Sequence, residues 1–320
     1  MPATSTGEAE FESYRPLMFS IAYRMLGSIS DAEDVVQDAF LRYQDALRTG
    51  TVPSSVKAYL SAVVTRLAID ELRSARVRRE EYVGQWLPEP LLTDTRGAGA
   101  DPAGAAERAD SLSMAFLLVL ERLSPVQRAV FLLHDVFSYP FDEIAEIVGK
   151  SEANCRQLAT RARRHLEADK PRFEASREAR SALATRFFQA VTSGDVDGLL
   201  SLLATDVQVY GDGGGKAPQW SRVVVGADRV SRMLTGLGKQ LAELELVVEP
   251  REVNGQPGAL TRDPQGRVVN VWALDILDGR VQAIRSVINP DKLRHVGPVA
   301  DAWALVHEGA ERRRAARPKA

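Results

Sequence analysis

Cysteine is nearly absent from this chain. One thiol in 320 residues, Cys155, leaves no partner for an internal disulfide and no cysteine-built zinc site, and fits a reducing compartment. Long apolar runs are missing too. The longest, Met114 to Leu120, falls far short of the roughly 20 residues a membrane span needs. The first ten residues have neither the basic start nor the apolar core of a signal peptide. These absences point to a cytoplasmic protein that does not engage a membrane. An excess of one charge is also lacking. The 41 Lys+Arg and 43 Asp+Glu give a formal net charge of -2, whereas nucleic-acid binders are usually basic.

That last absence excludes little, because the charge is unevenly placed. Segment 31–45 has five Asp/Glu against one Arg, and segment 66–79 has five Arg against two Asp/Glu. Segment 80–110 has seven Asp/Glu against two Arg, and segment 150–172 has seven Lys/Arg against three Asp/Glu. Alternating acidic and basic stretches imply two partners of opposite charge, one of them nucleic acid. With 45% hydrophobic and 26% charged residues the chain is an ordinary globular one. Its length calls for two or three domains.

Residues 11–81 read as helices. Val35, Val36, Ala39 and Phe40 recur at helical spacing, Ser30 is placed to cap their helix, and Asp31, Glu33 and Asp34 suit its positive end. After a break at Gly50 to Pro53, Val56, Leu60, Val63, Val64, Leu67 and Leu72 form one apolar stripe. Residues 82–110 read as an acidic linker, because Pro88 and Pro90 oppose helix and Arg96 to Gly104 has no apolar period. Residues 111–172 return to helix. Residues 177–294 mix helices with strands at 247–253, 259–262, 268–277 and 281–288, joined by hairpin turns at Asn254-Gly255, Pro264-Gln265-Gly266 and Asp278-Gly279. Residues 295–320 read as a basic tail, frayed from Arg312 onward.

The sharpest local signal is at 139–166. Phe141 to Val148 is a short helix with Ile144, Ala145 and Val148 on one face. Gly149 makes the turn, and Ser151 caps a second helix that runs to about Leu166. Two helices about a glycine turn form the unit that reads DNA, although a plain helical hairpin with a solvated basic face shares the pattern. Ser151, Asn154, Arg156, Gln157, Thr160, Arg161, Arg163 and Arg164 carry the amide, hydroxyl and guanidinium groups that meet base edges and phosphates. Cys155 packs between the two helices.

Together these stretches resemble a known family. Asp31-Ala32-Glu33-Asp34-Val35-Val36-Gln37-Asp38-Ala39-Phe40-Leu41-Arg42 resembles the polymerase-binding motif of extracytoplasmic-function (ECF) sigma factors. Ala58-Tyr59-Leu60 and Leu67-Ala68-Ile69-Asp70-Glu71-Leu72-Arg73 resemble the next helix of sigma region 2, and the helix-turn-helix resembles region 4. The family's Asn near Thr65-Arg66 and its Trp near Tyr59 are not here. The resemblance implies that Asp31, Asp34, Gln37, Asp38, Phe40 and Leu41 dock on the β′ coiled coil of core RNA polymerase, whose β flap is a further contact. It implies that loop 48–56 captures a base flipped from the −10 element and that Lys57, Tyr59, Arg66, Arg73 and Arg76 hold the melted strand. It further implies that residues 151–164 read the −35 element.

Phe187 to Val191, Gly194-Asp195, Leu199 to Leu203 and a strand to Tyr210 resemble the SnoaL-like branch of the nuclear transport factor two-like fold. The fold class implied is multidomain. It has two all-α sigma domains, a region 2 bundle and a region 4 helix-turn-helix, plus a C-terminal α+β cone with a curved antiparallel sheet. The phrases 82–90, Asp212-Gly213-Gly214-Gly215-Lys216 and Asn289-Pro290-Asp291-Lys292-Leu293 are similar to those of the ECF subgroup with a fused SnoaL-like extension. That likeness implies control of the sigma activity by the extension. Trp86 and Pro88, in a stiff linker, are expected to pack near Asp212 to Lys216 or Asn289 to Leu293, with Lys216 reaching the linker or another domain. A small molecule in the cone would bias the arrangement.

The alternative is a SnoaL-like small-molecule enzyme joined to a DNA-binding module, with Asp206, Asp212, Asp275 or His295 as general base. A turn role for Asp212 and a capping role for Asp291 compete with it. Gly213 to Gly215 lack Walker spacing. No metal, cofactor or catalytic residue is called for on the sigma reading. An ordinary helix-turn-helix repressor or activator is a third reading.

Overall fold

The computed structural model describes residues 3–93, 110–167, 176–220 and 222–315. Two compact units emerge, one from residues 1–81 with 116–170, the other from residues 82–115 with 171–320. The stretch read as a spacer therefore belongs, in its described part, to the C-terminal unit. No described helix is long and apolar enough to cross a membrane.

The first unit opens with α1 (Ala3–Leu26), α2 (Ile29–Arg48) and α3 (Val56–Glu80). Helix α2 starts two residues earlier than the Ser30 cap implies. Ser28 is extended and its Oγ accepts from the Asp31 N–H at 3.1 Å, so Ser30 already lies inside the first turn. Ile29, Ala32, Val35, Val36, Ala39 and Tyr43 form the buried stripe of α2. The bundle core continues through Met18, Tyr23 and Met25 of α1 and through Leu60, Val64 and Ala68 of α3.

Further along come α4 (Met114–Leu120), α5 (Pro125–Phe131), a π-helical turn (Leu132–Val136), α6 (Phe141–Val148) and α7 (Glu152–Glu167). A capping box between Ser124 and Gln127, with Pro125 in the first turn, starts α5. The buried pair on α6 is Ile144 and Ile147, three residues apart. Ala145 and Val148, read as part of that face, are half-buried beside it. Gly149 ends α6 at φ 66, and Ser151 Oγ accepts from the Asn154 N–H at 3.3 Å to start α7. Cys155 is fully buried between these helices, and burial pushes its thiol pKa up. Thiol reagents are therefore expected to leave it untouched in the folded chain and to label it on unfolding, which a denaturant-dependent labelling assay reads.

The second unit holds α8 (Arg177–Ser193), α9 (Val196–Leu202), β1 (Leu203–Asp212), β2 (Val224–Val225), α10 (Ala227–Glu243), β3 (Val247–Val253), β4 (Gln256–Arg262), β5 (Val268–Leu277), β6 (Arg280–Val287), a 3-10 turn (Pro290–Lys292) and α11 (Ala302–Ala315). The strand order is β2-β1-β6-β5-β4-β3. The sheet is mixed rather than antiparallel throughout, because β1 runs parallel to β6. Hairpins account for the other neighbours of β4 and β5. Asn254-Gly255 and Asp278-Gly279 all have positive φ, the geometry that matches the twist of paired strands. Phe187, Phe188, Leu199, Leu234, Trp272, Leu274 and Ile284 join helices and sheet in one core. The supposed tail is part of this unit. Val299 bridges Val268, and α11 carries Leu305 into a second cluster with Leu244 and Val269. Helix continues to Ala315 through Arg312, which donates to the Glu243 carbonyl at 2.6 Å, and residues 316–320 lie outside the described residues.

Candidate functional site

The inner stripe of α2 leaves an outer one. Asp34, Gln37, Asp38 and Leu41 follow at helical spacing and are all exposed, with Leu41 at 52%. An exposed leucine ringed by carboxylates is surface without a folding role. Phe40 does not share it, since its ring packs 4.7 Å from that of Phe11, and Asp31 is half-buried in the first turn.

On α7 the buried positions Cys155, Ala159, Ala162 and Leu166 fix the opposite face outward. Ser151, Asn154, Arg156, Gln157, Thr160, Arg161 and Arg164 are exposed there. Arg163 is not free to the same degree. It is half-buried, and its Nε donates to Asp135 at 2.7 Å. Arg156 pairs with Glu152 and lies over the Phe141 ring.

The α3 candidates sit less openly. Arg66 donates to the carbonyls of Ile147 at 2.9 Å and Glu146 at 2.8 Å, at the negative end of α6. Ser61 and Tyr139 share a buried hydroxyl bond at 2.6 Å, and the Lys57 ammonium lies 5.1 Å from the Tyr139 ring centroid. Arg128, almost fully buried, donates to the Met25 carbonyl at 2.6 Å and to Glu121 at 2.8 Å. The bundle and the helix-turn-helix are thus sewn together inside one unit, a feature the sequence reading missed. Tyr59 is half-buried beside Tyr43, and Arg73 pairs with Asp70. The Arg76 side chain lies outside the described residues.

The second unit closes on its own N-terminal strap, residues 82–93. Asp212, at the end of β1, is fully buried and its carboxylate gathers three donors. They are the Tyr82 hydroxyl, the Leu87 N–H at 2.8 Å and the Lys292 ammonium at 2.7 Å. Lys292, also buried, donates to the Leu87 carbonyl and lies 4.5 Å from the Trp86 ring centroid. Asn289 donates to the Tyr82 hydroxyl at 2.8 Å and caps the 3-10 turn by accepting from the Asp291 N–H. Asp291 is therefore not the cap. It pairs with Lys216 and Arg294.

The glycine phrase earns its composition here. A Cβ on Gly214 would fall 2.2 Å from Asn289 Nδ2 and 3.0 Å from the Tyr82 hydroxyl, and one on Gly215 would fall 3.2 Å from Val83. Both glycines also have positive φ. A Cβ on Gly213 would instead fall 2.6 Å from the Ala217 carbonyl oxygen. Beyond Leu87 the buried Pro88 and Pro90 carry the strap across the domain, where His295 meets the Pro90 carbonyl at 2.8 Å. Asn254, fully buried in its hairpin turn, takes Leu91 through both its side chain and its backbone. Tyr82 and Leu87 lie in the phrase 82–90, whose Trp86 and Pro88 are expected to pack near Asp212, and Asn254 lies in the Asn254-Gly255 turn, but none of the three was assigned a contact of its own.

Burial, then the Asp212 charge, raises the Tyr82 pKa, so the phenol stays protonated and donates. A raised acid pKa adds stability that is fully present below the unfolded value, about pH 10, and is lost as pH climbs past it. Hydrogen exchange of the strap is expected to be flat from pH 7 to 9, once corrected for intrinsic rates, and to accelerate above about 10. A Tyr82→Phe chain should lack that alkaline step.

None of the four candidate bases lines the cavity between the sheet, α10 and α11. Asp206 is exposed, Asp275 pairs with Arg285, Asp212 holds the strap and His295 meets it.

An acidic helix with an open stripe, a helix-turn-helix with an open basic face and an α+β domain clasping the intervening strap define a modular transcription factor of the sigma class. Family models agree: Sigma-70 region 2 matches residues 11–78, Sigma-70 region 4 matches 113–166 and the SnoaL-like domain matches 184–290. The chain is 41% identical over 292 residues to the ECF RNA polymerase sigma factor SigJ of Mycobacterium tuberculosis, spanning 89% of this chain and 92% of that protein. It is 35% identical over 289 residues to a protein of the same organism named "Probable ECF RNA polymerase sigma factor SigI", spanning 89% and 94%. The crystal structure of M. tuberculosis SigJ superposes with a TM-score of 0.70 at 38% identity, covering 91% of this chain and 99% of that one. The chain belongs to the ECF RNA polymerase sigma factors and carries a C-terminal SnoaL-like domain.

Proposed function

We propose that this sigma factor directs core RNA polymerase to promoters from two surfaces and that its C-terminal unit sets its activity by holding the strap. The stripe Asp34, Gln37, Asp38 and Leu41 serves as the polymerase contact on the β′ coiled coil. A central apolar side chain within a charged rim is the usual anatomy of a small, specific interface. The exposed face of α7 serves the −35 element, with Asn154, Gln157, Arg161 and Arg164 positioned for base edges and phosphates. The α3 basic side chains serve the melted −10 strand after leaving their partners on α6 and Tyr139, and the β flap takes the region 4 side. The chain acts in the cytoplasm and leaves phosphoryl chemistry to the polymerase.

The observation that carries control by the C-terminal unit is the clasp at Asp212. It gathers Tyr82, Leu87 and Lys292 in a site with almost no solvent, which a passive spacer does not require. Fluorescence anisotropy on a promoter fragment tests the whole reading. The free chain is expected to bind weakly, because its basic face is small and half-engaged. Core polymerase should raise affinity at least about 100-fold, or roughly 2.7 kcal/mol. Equal binding with and without core would place the protein among ordinary repressors or activators.

A further inference from the structure

The C-terminal unit has a recess of about 230 Å³ between the first turns of α8 and the β3–β4 hairpin. On the helix side Arg177, Arg180 and Ser181 follow at helical spacing and share one face. On the hairpin side stand Arg251 and Glu252. Three arginines against one glutamate give the lining a net charge of +2. Glu252 is already committed, since it accepts from Arg177 and from the Thr93 hydroxyl at 2.8 Å.

Arg180 is the unusual member, a guanidinium only 5% exposed. Its Nη1 donates to Gln256 at 2.8 Å and lies 3.7 Å from Asp110. Its Nε is buried with no hydrogen-bond acceptor among the described residues. Folded chains rarely leave such a donor unsatisfied. The Nε–H and an Nη2–H of a guanidinium form a side-on fork that holds an oxyanion by two parallel bonds. With Gln256 on Nη1, that fork remains for a ligand. The Arg177 and Arg251 side chains are 62% and 41% exposed, and they pair with Glu252 and Glu249. Surface pairs of this kind are worth little, so both arginines can turn to a more highly charged anion.

We propose that this recess binds the phosphoryl group of a small phosphomonoester. A carboxylate has two oxygens, and the Arg180 fork alone would satisfy it. A phosphoryl group has three terminal oxygens and about −1.5 to −2 charge at neutral pH, which matches three guanidiniums and the Ser181 hydroxyl. The rest of the lining includes Ala184, Pro250 and Pro257, which suits a short organic group on the ester oxygen. A nucleic-acid strand fits less well. Each phosphodiester carries one charge, and the central guanidinium is buried in a recess too small for a chain to enter. The site shares no residue with the polymerase and promoter surfaces.

Isothermal titration of the full chain with phenyl phosphate is expected to show one saturable site with a Kd below about 1 mM. Benzoate, with the same ring and one charge, is expected to bind about tenfold or more weakly. Arg180→Lys keeps the charge and loses the fork, and should weaken phenyl phosphate about tenfold. Should that variant melt below the parent, Arg177→Glu with Arg251→Glu carries the test, because both side chains are largely in solvent. Reversing those charges should also weaken binding about tenfold or more. A nonspecific DNA oligonucleotide at equal phosphate concentration should leave bound phenyl phosphate in place. Heat that never saturates, equal affinity for benzoate, undiminished affinity in either folded variant, or displacement by the oligonucleotide overturns the proposal. Neither polymerase nor promoter enters these measurements, so their outcome is separate from that of the sigma reading.

Discussion

Replacing Lys292 with methionine is expected to cost the C-terminal unit about 3–5 kcal/mol, the usual penalty for stranding one half of a buried ion pair. Asp212 is fully buried and the Lys292 side chain is 8% exposed, so little water reaches either. Methionine nearly keeps the volume under the Trp86 and Tyr82 rings, so lost packing is a small part of the effect. The carboxylate would keep only Tyr82 and the Leu87 N–H. In a denaturant melt the unit's transition should move to clearly lower concentration. The double change Asp212→Leu with Lys292→Met separates stability from clasping. Removing both charges should restore much of the stability, because an apolar pair carries no desolvation penalty. The Leu87 N–H would then have lost its acceptor, and exchange at Leu87 should stay fast while the unit itself is stable. A Lys292→Met chain as stable as the parent would show that the clasp carries little energy.

Leu41→Arg is expected to weaken core polymerase binding by about 30-fold or more, or roughly 2 kcal/mol, with no loss of fold stability. Leu41 is already half in solvent, so folding gains little from it. Arginine there would remove the apolar centre of the stripe and offset the charge of Asp34 and Asp38. Surface plasmon resonance against immobilised core, with a thermal melt as the control, reads both numbers. A variant that binds core like the parent would move the contact away from this face of α2.

Much of this architecture was legible because its causes are local. The two stripes of α2 follow from helical spacing, and the C-terminal end of α6 follows from Gly149. The Asn254-Gly255 and Asp278-Gly279 hairpins follow from turn chemistry. What escaped is held by contacts that no local period announces. Tyr82 and Asp212 are 130 positions apart, and Arg66 meets α6 from 80 positions away. The parallel pairing of β1 with β6 depends on where four intervening strands lie. The cap of α2 shifted to Ser28 because Ser28 and Ser30 are chemically alike, and only backbone direction separates them. Arg312 looked like part of a loose tail because its carbonyl partner at Glu243 lies on a distant helix.

Run-off transcription with purified core polymerase tests the central claim most directly. A genomic fragment library, this chain and core should yield transcripts starting at discrete sites that share −35 and −10 sequences. Those transcripts should vanish when Leu41→Arg or an Arg161→Ala, Arg164→Ala pair replaces the parent chain. No start site above the core-alone background, with no complex between chain and core, would contradict the account.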